Sequence, residues 1–111
     1  MNDIQQVELS IEQAKALINR AEQARRLAEN KDFKDLVLNG YFNEEAARLV
    51  HCLGDINLKD YQEDILRDLH GIASFKRFMQ TIIMIGNNAQ NDLASNEATL
   101  DELRAEEASN G

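Results

Sequence analysis

The sequence predicts an all-α protein in which long antiparallel helical arms, as a hairpin or a bundle, flank a short central helical module. Three observations carry this expectation. Proline is absent from all 111 residues, so no residue enforces a helix break. Near the N-terminus, apolar residues recur at alternating steps of three and four, which return to one helix face. Near the C-terminus they recur every seven residues, the coiled-coil interval. The expected divisions, all within one domain, are a first arm over residues 1–31, a central module over 32–57, a last arm over 58–106 and a frayed tail over 107–111.

The first arm reads as one helix from Ile4 to about Asn30, with Asn2 or Asp3 as cap and Glu8, Glu12 and Lys15 on its outer side. Its stripe is Ile4, Val7, Ile11, Ala14, Ile18 and Ala21, and Arg25 then stands where another large apolar residue is expected. Leu9, Ala16, Leu17, Ala24, Leu27 and Ala28 widen the apolar surface, which predicts more than one neighbour. Alanine at contact positions permits close approach while burying little area per residue. An antiparallel hairpin within one chain and an intermolecular coiled coil both satisfy this pattern.

In the central module, Asp32 to Leu38 reads as a further helical segment or a bent continuation of the first arm, ended by Asn39-Gly40. Leu36-Val37-Leu38 before Asn-Gly also fits a hairpin strand, but no alternating partner strand follows. Asn43-Glu44-Glu45 then reads as a helix start, with both acids near the exposed N–H groups of the first turn. Ala46, Ala47, Leu49, Val50 and Leu53 form the buried face, and Gly54 is the stop. Phe33, Tyr41 and Phe42 are expected to fill the surrounding junction. The aromatic residues concentrate in and around this part of the chain, so a compact core is expected here.

Asn57 is the expected cap of the last arm, with Asp60 at its third position. Ile72, Met79, Gly86, Leu93 and Leu100 share one heptad position, and Phe75, Ile82, Ala89, Asn96 and Leu103 the companion one. Gly86 weakens a helix by about 1 kcal/mol relative to Ala but permits close backbone approach. Asn96 either fixes register or marks where the helix emerges into solvent. A break at Gly71 or Gly86 and a continuous helix both remain open. Acids dominate the end, from Asp101 to Glu107, and oppose the helix dipole there, so fraying is expected after about Leu103.

Twenty acids against twelve bases give a net charge of −8, which disfavours general affinity for nucleic acid. A weak basic patch, Arg20, Arg25 and Arg26 with Lys76 and Arg77, supplemented by Lys15, Lys31 and Lys34, is a candidate for phosphate or for an acidic protein partner. Protein is the favoured reading, because neither a helix-turn-helix recognition helix nor an aromatic stacking platform accompanies the bases. Glu22 and Arg26, four apart, are expected to pair.

Cys52 is the only cysteine, so it supports neither an internal disulfide nor a cysteine-based metal cluster. It reads as a small core or groove residue. His51 and His70 have no partner at a metal-ligand interval, and Asp68 and His70, two apart, do not face each other on a helix. The acids around Asp60, Glu63, Asp64 and Asp68 read as a hydrated surface partly neutralised by Arg67. No enzymatic activity, metal or cofactor is expected. Met1 to Gln6 lacks the basic start and apolar run of a signal peptide. The run Ile82 to Gly86 is too short to span a bilayer, and neither export nor membrane insertion is expected.

The segment Lys31-Asp32-Phe33-Lys34-Asp35-Leu36-Val37-Leu38-Asn39-Gly40-Tyr41-Phe42, followed by Glu44 to Val50, resembles small all-helical accessory proteins encoded by tailed bacteriophages. Ile72 to Phe78, Gly86 and the acidic helical end resemble them too. The resemblance implies an accessory role in head assembly, packaging or the virion, in the cytoplasm of an infected bacterium or in the particle, and transfers no catalytic residue.

Three functions follow in order: a helical assembly or virion adaptor, a small regulator or inhibitor of a host protein, and a DNA-packaging accessory. The candidate protein-contact residues are Ile4, Val7, Ile11, Ile18, Phe75, Met79, Ile82, Leu93 and Leu100. Self-assembly into a homo-oligomer would place Ile11, Ile18, Ile82 and Leu93 between subunits.

Overall fold

The computed structural model describes residues 2–110, and these are all-α. In chain order they form α1 (Asp3–Glu29), α2 (Lys31–Phe33), a π-helical segment (Lys34–Glu45), α3 (Ala46–Leu53), a 3₁₀ segment (Ile56–Tyr61) and α4 (Gln62–Asn110). They make two compact units, one of residues 1–24 with 82–111 and the other of residues 25–81.

The first unit is an antiparallel pair of helices from α1 and α4. At its N-terminus the side chain of Asn2 accepts from the Gln5 N–H at 2.8 Å, and the Gln5 side chain accepts from the Asn2 N–H at 3.2 Å. This reciprocal arrangement satisfies two otherwise orphaned donors. Ile11, Ala14, Ala21 and Ala24 are buried, while Ile4, Val7 and Ile18 are half-buried, so the expected stripe is the packing seam. From α4, Gly86, Ala89 and Leu100 are buried, with Ile82, Leu93 and Leu103 half-buried.

Gly86 sets how closely these helices approach. A Cβ there would stand 2.2 Å from the Ala21 Cβ and 3.3 Å from the Leu17 carbonyl oxygen. Ala21 is fully buried at the same point. Here the lost helix propensity of glycine is offset by backbone contact that no larger residue permits. The helix runs through Gly86 and through Gly71 to Asn110, so of the two alternatives at these glycines the continuous helix is the one formed. Asn96 does not mark emergence into solvent. It is half-buried and lines a polar depression with Ser10 and Gln13 from the opposite helix.

Leu9 and Leu17 remain about 40% exposed. The expected second neighbour of α1 is absent within this unit, because α4 is the other helix in it and faces one stripe. The ion pair across the helices is Arg104 to Glu8 at 3.3 Å.

The second unit carries the apolar core. Phe42, Leu49, Ile65 and Ile72 are buried, with Val37, Leu38, Ala46, Cys52, Leu53, Leu58 and Leu69 packed against them. Burying each of the four large side chains contributes roughly 1.5–3 kcal/mol. The Phe42 ring lies 5.4 Å from Phe75 and 6.1 Å from Tyr41, both tilted. Phe33 is half-buried and Tyr41 39% exposed, so Phe42 fills the junction more completely than either.

Helical backbone continues from α2 through the π-helical segment into α3, which corrects two expected boundaries. Asn39-Gly40 does not end a helix, and no glycine among the described residues adopts positive φ. Asn43 does not cap a new one, since Glu45 and Ala46 keep right-handed helical angles and no side-chain cap forms. The physical reason is packing. Val37, Leu38, Phe42, Ala46 and Leu49 belong to one core, and an interrupted backbone would not hold them on it together. The wider π turn places the Asp35 carbonyl oxygen 3.1 Å from where a Cβ of residue 40 would lie, a tight position that suits glycine.

Asn30 separates α1 from α2, with extended backbone and a side chain that accepts from the Phe33 N–H at 3.0 Å. Gly54 ends α3 as expected, its N–H donating to the His51 carbonyl at 3.2 Å. The expected cap at Asn57 is corrected to Asp55, whose side chain accepts from the Asn57 N–H at 2.9 Å and starts the 3₁₀ segment. Leu58 is kinked away from helical angles, so α4 begins at Gln62 rather than at residue 58. The Gln62 side chain donates back to the Leu58 carbonyl at 3.0 Å.

Candidate protein-contact surface

The protein-contact candidates other than Phe75 are at least half covered within the chain. Ile11 and Leu100 are buried; Ile4, Val7, Ile18, Met79, Ile82 and Leu93 are half-buried; Phe75 is 39% exposed with its ring against Phe42. Ile11, Ile18, Ile82 and Leu93, the residues that self-assembly would place between subunits, all belong to the antiparallel pair within one chain.

Among the basic candidates, Arg20, Arg26, Lys76 and Arg77 are exposed, and Arg25 is half-buried and held in an interaction. Arg20 belongs to the arm pair and the other four to the unit of residues 25–81. The expected Glu22–Arg26 pair is not formed. Ion pairs among the described residues include Arg48–Glu45, Arg67–Asp64 and Arg104–Glu8. The Arg67 contact at 2.9 Å gives the neutralisation expected for that acidic surface.

Several large apolar side chains stand in water, and the expected buried face of α3 is corrected at Ala47 and Val50, which are exposed. Within the unit of residues 25–81, Leu36 is 74% exposed, Ile56 81%, and Val50, Tyr61 and Phe78 are each more than half exposed. Leu36 and Tyr41 stand beside a groove of about 440 Å3 lined also by Gly40, Glu45, Leu49, Asp68 and Ile72. Leu49 and Ile72 are buried beneath it, and its ionisable groups besides the Tyr41 hydroxyl are two carboxylates. A signal for Leu36 was present in the sequence. Of three consecutive apolar residues on a helix, only two can face one core.

Electrostatics beside the groove centre on Arg48. Its Nε donates to Glu45 Oε2 at 3.1 Å, and a terminal nitrogen also pairs with Glu45 Oε1. The hydrogen bond from Arg48 holds the Glu45 carboxyl below its ordinary value, reinforced by the guanidinium charge and opposed by desolvation. Arg48 is raised in turn, chiefly by that hydrogen bond, with a smaller contribution from the field of Asp68. Asp68 is exposed and forms no ion pair among the described residues.

Cys52 is half-buried, with its sulfur 3.9 Å from an Arg48 nitrogen, in keeping with a core-edge position. His51 and His70 are exposed. Among the described residues, no group of three or more His, Cys, Asp or Glu side chains is placed to hold a metal ion, and no helix is long and apolar enough to cross a membrane. Comparison with models of protein families, with curated proteins and with solved structures gave no match.

Proposed function

We propose that this chain is a helical adaptor that works through protein–protein contacts during the head assembly, packaging or virion construction of a tailed bacteriophage. The observation that carries the adaptor reading is the number of large apolar side chains left in water. The arm pair exposes Met84 beside its inward stripe, and the unit of residues 25–81 leaves Leu36, Val50, Ile56, Tyr61 and Phe78 largely in water. Large apolar side chains exposed in number suit a surface that a partner covers. The phage setting draws on the resemblance of residues 31–50 and of the region from Ile72 to Gly86. The reading is of a binding module and assigns the chain no reaction, metal or cofactor.

The test is recovery of the tagged full chain from infected cells after mild cross-linking, with the mass of the native complex measured. Co-purification with head or packaging proteins is the expected result. Recovery of a host protein instead would replace assembly with host regulation. A chain recovered without any partner throughout infection would sink the adaptor reading.

A further inference from the structure

We infer that the groove beside the π-helical segment is a docking site for a basic, apolar peptide segment of another protein, with a bulky side chain entering between Leu36 and Tyr41 and a Lys or Arg meeting Asp68. This rests on the adaptor reading and names the chemistry of the partner. The apolar component comes chiefly from the exposed Leu36 and Tyr41, since Leu49 and Ile72, which also line the groove, are buried. Charge selects the partner. The carboxylates of Glu45 and Asp68 line the groove, and Glu45 is engaged by Arg48 while Asp68 forms no ion pair among the described residues. An acidic segment would meet Asp68 with like charge, and a purely apolar one would leave its hydrogen-bonding capacity to water. A cationic residue beside an apolar anchor satisfies both parts, as in other grooves that read a side-chain anchor together with a flanking charge. Gly40 puts no side chain into the groove, so the incoming segment can approach the helix backbone there.

The experiment selects a random 16-residue peptide display library on the purified full chain, then measures one selected peptide by fluorescence anisotropy. Leu36→Asp and Asp68→Lys serve as variants, because both positions are exposed and their substitution leaves the core intact. Circular dichroism confirms that each variant is folded. Selected sequences should pair Lys or Arg with Leu, Phe or Trp. Each variant should weaken binding at least tenfold, and added salt should weaken it for the wild type more than for Asp68→Lys. Acidic or uncharged selected sequences would overturn the inference, as would a library with no binder. Peptides that bind the wild type and both variants alike would overturn it too, while leaving the adaptor reading standing with its surface elsewhere. Self-association of the wild type that Leu36→Asp abolishes would make the occupant a second copy and likewise overturn it. Failure of the adaptor reading is read separately, from the partner recovered in infected cells.

Discussion

A methyl group at position 86 would fall 2.2 Å from the Ala21 Cβ, so this residue pair decides how tightly the arm helices pack. Gly86→Ala gains about 1 kcal/mol of helix propensity, but overpacking costs about 1–3 kcal/mol. Net destabilisation is expected. Chemical denaturation should show a lower midpoint, and Ala21→Gly in the same chain should recover part of the loss. Additive effects in that double-mutant cycle would refute the contact. A second residue-scale prediction concerns Glu45, whose carboxyl is held low by Arg48. A depressed folded-state value means that the pair stabilises fully above the ordinary carboxylate value of 4.5 and loses that contribution as pH falls through the lower, folded-state one. Arg48→Gln should return the Glu45 titration, followed by carbon-detected NMR, towards the ordinary value. The change in stability should be small because both side chains are substantially exposed.

Boundaries of the elements depend on single polar side chains. Asn30 holds the Phe33 N–H where α1 gives way to α2, and Asn30→Ala should lower stability by about 1 kcal/mol while Asn30→Asp stays close to wild type. A thermal melt that fails to separate the two variants would exclude the cap. The continuous path from Lys31 to Leu53 shows the opposite influence. There, Asn39-Gly40 and Asn43 carry local signals for a stop and a start, yet the core around Phe42 and Leu49 keeps the backbone helical. Tertiary burial of several large side chains outweighs a cap contribution of about 1 kcal/mol. The last helix is a further case. Its acidic end opposes the helix dipole, but Leu100 is buried and Leu103 half-buried against α1, and helix extends beyond them to Asn110.

Across the whole molecule, charge is unevenly shared between the units. Residues 1–24 and 82–111 contain ten acids against three bases, Lys15, Arg20 and Arg104, whereas residues 25–81 contain ten acids against nine bases. Most of the net charge of −8 therefore lies on the arm pair. Like charges concentrated there repel one another, and salt screens them over about 10 Å at 0.1 M. Amide exchange in the arm helices should slow as salt rises, and Glu102→Gln with Glu106→Gln should mimic that effect at low salt. Unchanged or faster exchange would contradict it. A related expectation concerns Ile82, which packs within the arm pair. Ile82→Ala should lower the melting temperature equally at low and high protein concentration, whereas a concentration-dependent change would place this residue between subunits.

The all-α class, the seam from Ile4 to Ala21 and the heptad from Ile72 to Leu103 were legible because helix periodicity alone assigns residues to a face. Gly86 was readable as a point of close approach for the same reason: it falls on that face and lacks a side chain. Periodicity does not say which surface covers a stripe, and the fold answered this by pairing α1 with α4 within one chain. Nor does it decide between a local stop signal and a shared core, as the helical path through Gly40 shows. The groove of Leu36, Tyr41, Glu45 and Asp68 was hidden for that reason. Its residues are spread over more than thirty positions in sequence, and only the packing of the π-helical segment and α3 on α4 brings them together.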